Sequence, residues 1–253
     1  MISSASDVKA AVLIACGGSG ARFQTDMTQD ASGMAHMGKQ FMIIAGKPVI
    51  AHTLDTIEHN PRLDFAVLIL PEKDLEIGGL LVSGAWPEKG ANRSIYHKVK
   101  HIIAGGDSRQ ESVAAGLRAL DGIGWEGPVL VQDGVRPCTS ASVYDRVLDG
   151  VIAKGNAVAA IPLRDTIKRA DEDGAVIETL PREGLWQIQT PQGFWMSDLL
   201  EAYNEGHRQG LTVTDDAALM EALGRPVYLV DGDPVNIKLT YKEDIDLLEA
   251  ILR

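Results

Sequence analysis

Cysteine is scarce in this 253-residue chain: only Cys16 and Cys138 occur, and neither belongs to a C-x-x-C pair. That excludes a disulfide framework, and the expectation is a reducing, cytoplasmic setting. No apolar run approaches the roughly 20 residues that a bilayer span requires. The opening M-I-S-S-A-S-D-V-K has no basic stretch leading into an apolar core, so a soluble, unexported protein without a membrane partner is expected. Basic runs are missing too. With 24 Lys and Arg against 35 Asp and Glu, the formal charge is -11, which argues against a nucleic-acid partner and means that an anionic substrate needs a local basic pocket. The six histidines show no H-E-x-x-H or other ligand spacing, and there is no G-x-S-x-G elbow.

What is present is a hydrophobic content of 45%, enough to bury a full core in one domain spanning 1–253. The organising stretch is A-A-V-L-I-A-C-G-G-S-G-A-R, from Ala10 to Arg22. A short apolar run opening straight into glycines reads as a buried parallel strand that ends in a tight loop. Gly17, Gly18 and Gly20, following Cys16, let backbone N–H groups crowd around an anion such as a nucleoside triphosphate, and Arg22 adds fixed charge. Two familiar phosphate loops do not fit. A dinucleotide fingerprint needs Gly where Phe23 stands, and G-M-A-H-M-G-K over Gly33 to Lys39 is followed by Gln40 rather than the Mg²⁺-holding Ser or Thr.

Further along, strands alternate with helices. The stretch from Gln24 to Gly38 is polar and aperiodic and reads as a flap or insertion. Pro48 is expected at the first position of a helix through Glu58, Asp64 to Leu70 as a second buried strand, and Gly78 to Arg93 as an irregular connection. Lys98 to Ala104 reads as a third strand, followed by a helix with capping-box spacing between Ser108 and Glu111. Pro128 to Val131 makes a fourth strand that runs into Q-D-G-V-R-P, putting Asp133 and Arg136 at its carboxyl end, where open α/β sheets bind ligands. A helix over Ser142 to Ala153 and a strand over Asn156 to Ile161 lead to two alternating segments around D-E-D-G, a projecting hairpin within an arm of about 162–190. Asp171 and Asp173, like Asp231 and Asp233, form D-x-D pairs that read as turn residues rather than metal ligands. Thr214 is expected to cap a helix that Gly224 ends, Val227 to Val230 to form a strand, and Thr240 to form a capping box with Glu243 for the last helix. The fold class expected is α/β: Rossmann-like, doubly wound, with a mostly parallel sheet and a β-hairpin arm.

The motifs G-G-S-G-A-R, G-K-Q-F, G-G-D-S-R-Q-E-S-V, Q-D-G-V-R-P, P-L-R-D-T-I-K-R, R-E-G-L-W, Q-T-P-Q, V-T-D-D-A and N-I-K-L-T occur in this order. Together they make the chain resemble the 2-C-methyl-D-erythritol 4-phosphate cytidylyltransferases of non-mevalonate isoprenoid synthesis over nearly its whole length. The resemblance implies transfer of a cytidylyl group from CTP to a sugar-alcohol phosphate with release of pyrophosphate, Mg²⁺ being held mainly by the CTP phosphates. It makes Arg22, Lys39 and Lys238 the catalytic cations. Cys16, Gly17, Gly18, Gly20, Gly106, Asp107 and Ser112 become nucleotide-binding positions, and Asp133, Arg136, Thr214 and Lys238 surround the acceptor. Thr166, Arg182 and Thr190 would come from the hairpin of a second subunit, implying a homodimer through the arm. The chain departs from the family's usual residues at Gly38, where Pro is common before the lysine, at Gln132, where His is common, and at Cys16 and Gly17, where alanines are common; the segment from Gln24 to Gly38 is also longer than usual.

Two other readings stand beside this one. A ribitol 5-phosphate cytidylyltransferase shares the glycine loop and the Q-T-P-Q and N-I-K segments, though P-L-R-D-T-I-K-R and R-E-G-L-W look like the methylerythritol enzymes. A nucleotide-binding regulatory module without catalysis is the other.

Overall fold

The structure, a computed structural model, describes residues 7–16, 38–87 and 94–253. Among these a seven-stranded sheet has the order β11-β7-β10-β6-β1-β4-β5. Its members are β1 (Ala10–Ala15), β4 (Leu63–Leu70), β5 (Val99–Ala104), β6 (Pro128–Asp133), β7 (Asn156–Pro162), β10 (Trp186–Trp195) and β11 (Leu229–Asp231). Only β10 runs against its neighbours β6 and β7; the other pairs are parallel. Two small antiparallel pairs, β2 (Ile43–Ile44) with β3 (Lys47–Pro48) and β8 (Ile167–Ala170) with β9 (Val176–Leu180), stand apart. The second pair is the hairpin, and its turn is closed by the Asp171 carboxylate, which accepts from the Asp173 and Ala175 N–H groups. Asp233 likewise accepts from the Val235 N–H. Asp171 and Asp233 thus act as turn carboxylates, as expected, whereas Asp231 is the last residue of β11.

β1 is buried along its whole length, and its side chains alternate between two cores. Ala10, Val12 and Ile14 meet α1 (Val49–His59) and α4 (Ala141–Lys154) on one face. Ala11, Leu13 and Ala15 meet α3 (Arg109–Gly122), α5 (Met196–Arg208) and α6 (Ala217–Ala222) on the other. This is the doubly wound arrangement: an all-apolar central strand is required where helices cover both faces. Each fully buried Leu or Ile contributes roughly 1.5–3 kcal/mol.

Four local expectations need correction. Gly78 lies inside α2 (Leu75–Val82), not in an irregular connection. A β-carbon there would collide with the Leu70 side chain, so the glycine serves close packing of helix on strand. Pro48 is the N-cap of α1, one residue before its first turn. Thr214 does not cap α6; Gln192 of β10 accepts through Oε1 from the Asp216 and Ala217 N–H groups at 3.1 and 3.0 Å, and Asp215 accepts through Oδ1 from the Ala218 N–H at 3.3 Å. The last helix, α7 (Asp244–Leu252), has no Thr240 capping box. Instead the Asp244 carboxylate accepts from the N–H groups of Thr240 and Tyr241. Gly224 does terminate α6, with φ of 69°. The strand expected over Val227 to Val230 is β11, two residues later at its start. Among the described residues no helix is long and apolar enough to cross a membrane.

Candidate active site

The parallel strands β1 and β6 end level with one another, Ala15 opposite Asp133, and the Gly134 N–H closes on the Ala15 carbonyl. Gly134 carries no side chain because the Cys16 sulfur lies where its β-carbon would be. The Cys16 thiol is accordingly part of the core, its pKa pushed up by burial and then by the charges of Asp133 and Asp74. The glycines Gly17, Gly18 and Gly20, with Arg22 and the flap expected from Gln24, lie outside the described residues except at Gly38.

Asp133 is the centre of the site. Its carboxylate is 4% exposed and meets three cations: Oδ1 accepts from Arg109 Nε at 3.0 Å, and Oδ2 from Lys238 Nζ at 2.9 Å and Arg136 Nε at 3.4 Å. Burial alone would raise its pKa, but Arg109, Lys238 and Arg136 outweigh burial and hold it below the ordinary carboxylate range. Its backbone N–H donates to Thr190 Oγ1 at 3.1 Å. Both carboxylate oxygens are thus taken by cations, so the group gathers positive charge rather than offering a free acceptor.

The three cations come from distant parts of the chain. Arg109 is the first residue of α3 and also donates through Nη2 to Asp216 Oδ2 at 2.8 Å, while the Tyr203 hydroxyl donates to Asp216 Oδ1 at 2.6 Å. A cation at a helix N-terminus opposes the helix dipole, and two buried carboxylates compensate for it. Arg136 donates through Nη1 to the Asn236 carbonyl at 2.7 Å. Asn236 is itself fixed by the Thr139 hydroxyl and by donation to the Thr190 carbonyl. Lys238, two residues on, is the most exposed of the three. The next carbonyl, that of Leu239, accepts from Lys39 Nζ at 2.8 Å. The strap from Asn236 to Leu239 therefore joins the lysine of the G-K-Q-F motif to the carboxylate of Q-D-G-V-R-P.

A cleft of about 450 Å³ opens over this cluster, lined among others by Arg109, Asp133, Arg136, Thr190, Thr214 and Lys238. Four acceptor positions expected from sequence therefore come together, Asp133, Arg136, Thr214 and Lys238; Thr190, expected from the hairpin of a second subunit, instead lines the cleft from β10 of this same chain, held there by its hydroxyl accepting from the Asp133 N–H. Gly106 and Asp107 are exposed in the turn from β5 into α3, while Ser112 lies within the first turn of α3 and is fully buried. There the capping box between Ser108 and Glu111 forms in both directions, and the Ser112 hydroxyl donates to the Ser108 carbonyl at 2.9 Å. Thr166 and Arg182 are exposed at the base of the hairpin, where Arg182 donates to the Arg164 carbonyl, and neither lines the cleft. Sequence reasoning missed Arg109, Asp216, Gln192 and Tyr203. The one available signal was Arg109, a cation at the unfavourable end of a helix.

The model of the 2-C-methyl-D-erythritol 4-phosphate cytidylyltransferase family matches residues 10–253. The chain belongs to this family. The enzyme of that name from Halalkalibacterium halodurans is 41% identical over 214 residues, covering 85% of this chain and 88% of the relative. The one from Geotalea uraniireducens is 39% identical over 219 residues, covering 87% and 90%. Among solved structures, the cytidylyltransferase from Thermus thermophilus superposes with a TM-score of 0.72 at 31% identity, covering 97% of this chain and all of that one. The family is one of nucleotidyltransferases of isoprenoid synthesis, and neither the ribitol 5-phosphate enzyme nor a non-catalytic module is favoured by these matches. Every segment that forms the Asp133 cleft lies within the matched range.

Proposed function

We propose that this cytidylyltransferase joins CTP and 2-C-methyl-D-erythritol 4-phosphate, releasing pyrophosphate, with the Asp133 cleft as the acceptor site. The observation that carries the reading is the gathering of Arg109, Arg136 and Lys238 around one buried carboxylate at the carboxyl ends of the sheet strands. Asp215 and Glu221 also line the cleft, so what suits the phosphate of a sugar alcohol is the local cluster of three cations at Asp133 rather than a net positive charge of the cleft.

Nucleotidyl transfer asks little covalent chemistry of the protein; positioning and charge neutralisation dominate. The acceptor phosphate oxygen attacks the α-phosphorus of CTP in line, the bond to the β-phosphate oxygen breaks, and pyrophosphate leaves. In this reading Lys238 and Arg136 hold the attacking phosphate, and Lys39 with Arg22 neutralises charge on the triphosphate. Among the described residues no three acidic, histidine or cysteine side chains form a cation cage, and the Asp133 oxygens are already taken; Mg²⁺ would ride on the triphosphate oxygens and neutralise them there. At the β5–α3 turn, a backbone carbonyl facing the exocyclic amino group of cytosine would reject UTP by opposing two acceptors.

A homodimer through the arm belongs to the same proposal. It is supported by the exposed apolar side chains Val176, Ile177, Trp186 and Ile188 on β9 and β10, surface that a second copy would cover, and by Thr166 and Arg182 standing exposed beside them. The unpaired thiols of Cys16 and Cys138 support a cytoplasmic setting. Pyrophosphate release tests the whole reading: it is expected with CTP and methylerythritol phosphate, and far slower with UTP or with ribitol 5-phosphate. Release with ribitol 5-phosphate alone, or CTP binding without any release, would refute it.

A further inference from the structure

Asp74 closes the 3-10 turn Glu72–Asp74, which runs straight into α2, and its side chain accepts no bond from the first turn of that helix. Its carboxylate is instead turned inward, 4% exposed, and accepts from Gln40 Nε2 at 3.0 Å. Burial raises its pKa, against the opposing pull of Lys73 and the Gln40 hydrogen bond. A carboxylate buried at a cost serves a contact elsewhere. That contact lies under Lys39. Gln40 is the middle residue of the 3-10 turn Lys39–Phe41 and is as buried as Asp74. Its side-chain amide folds back over Gly38, so that a β-carbon at 38 would require the amide to move. The turn is closed by the Phe41 N–H on the Gly38 carbonyl at 2.9 Å, and Phe41 stacks on Trp86 at 5.8 Å.

We infer that Gln40 and Asp74 are positioning residues for Lys39: their hydrogen bond holds the Gly38–Phe41 turn, and so fixes the backbone from which the lysine reaches the triphosphate. The inference rests on the proposal that Lys39 acts on CTP. Misplacing a reacting group by about 1 Å can cost about a hundredfold in rate, so the bond should be read in kcat more than in the KM for CTP.

The test exchanges donor and acceptor. Gln40→Glu sets two carboxylates against each other and should lower kcat by about ten- to a hundredfold. Adding Asp74→Asn restores one donor and one acceptor in reversed roles, and should bring kcat back to within about threefold of the parent. In a Lys39→Ala background, Gln40→Glu should change kcat no further, because it acts only through the lysine; a merely structural role would cost the same factor in both backgrounds. Should Gln40→Glu fail to fold, Asp74→Ala, which strands the amide without adding charge, is read in the same cycle. Equal loss in Gln40→Glu and in the double variant, or equal loss with and without Lys39, overturns the inference. Full activity of Lys39→Ala would instead remove Lys39 from the mechanism, and with it the reading on which the inference depends.

Discussion

Asp133→Asn keeps the shape of the side chain and removes its charge. An amide offers one acceptor oxygen and one NH₂ group, so it cannot serve all three cations that now converge on Oδ1 and Oδ2. Lys238, with a side chain 40% exposed, can swing into water, and its share of the loss is at most about 1 kcal/mol. Arg109 and Arg136 are far less exposed and remain facing one another across an uncharged group. Breaking a buried ion pair by removing one partner costs about 3–5 kcal/mol, and each kcal/mol shifts the melting temperature of a chain of this size by about 2–4 °C. The expected loss is therefore about 6–20 °C, read by thermal melting together with urea unfolding at unchanged m-value. Because the folded-state pKa of Asp133 is depressed, its contribution is fully present above the unfolded value of about 3.9 and is lost as pH falls through the folded value. The penalty of Asp133→Asn should thus be flat from about pH 5 to 8 and shrink below about pH 4. In the assay, kcat/KM for the acceptor should fall more than CTP affinity, and Asp133→Ala should lose about a further tenfold, the worth of one charge-assisted hydrogen bond of about 1.5 kcal/mol. A variant within about 1 kcal/mol of the parent across that pH range, with acceptor kinetics intact, would refute the view that this carboxylate organises the site.

Tyr203→Phe removes the hydroxyl donor to Asp216; burial and the Asp216 charge push the Tyr203 pKa up, so the donor is intact at neutral pH, and its loss should cost about 1.5–3 kcal/mol in denaturant unfolding. Deleting the hairpin over 167–180 should yield monomers with little activity, and a fully active monomer in sedimentation and turnover assays would show that the arm contributes no part of the site. Asp74→Asn should be neutral or stabilising at pH 7. A carboxyl group with a raised folded pKa penalises stability above that value, so the difference should vanish below about pH 4; destabilisation by more than about 1 kcal/mol at pH 7 would show that its charge is compensated in the fold.

Where neighbours in the chain decide the structure, the sequence was legible. The apolar run of β1, the Ser108–Glu111 capping box, and the hairpin around D-E-D-G each carry their whole signal within a few residues. Where a distant element decides, local reading failed. Gly78 signals a break until Leu70 of the adjacent strand is seen to occupy the space of its missing β-carbon. Thr214 has the right spacing for a cap, but the start of α6 is held by its neighbour Asp215 and by Gln192 from a strand more than twenty positions earlier. The helix Met196–Arg208 carries a local signal of its own, with Leu199, Ala202, Tyr203 and Gly206 on one buried face.

The site divides along the same line. Asp133, Arg136, Thr190, Thr214 and Lys238 could be named in advance because each sits in a short motif that resembles a known family's, yet resemblance gave them roles as separate contacts to a substrate. The structure makes three of the acceptor-site residues one electrostatic unit, because a carboxylate buried at the end of β6 is tolerable only with cations against it, and those cations arrive from α3, from the loop after β6, and from the strap at 236–239. Arg109 completes the unit from 24 positions away and ties it to Asp216, a further 107 positions from itself. No spacing rule joins such residues, but a helix that begins with an arginine announces an unpaid electrostatic cost, and the search for the acid that offsets it leads from the nucleotide turn directly to the acceptor cleft.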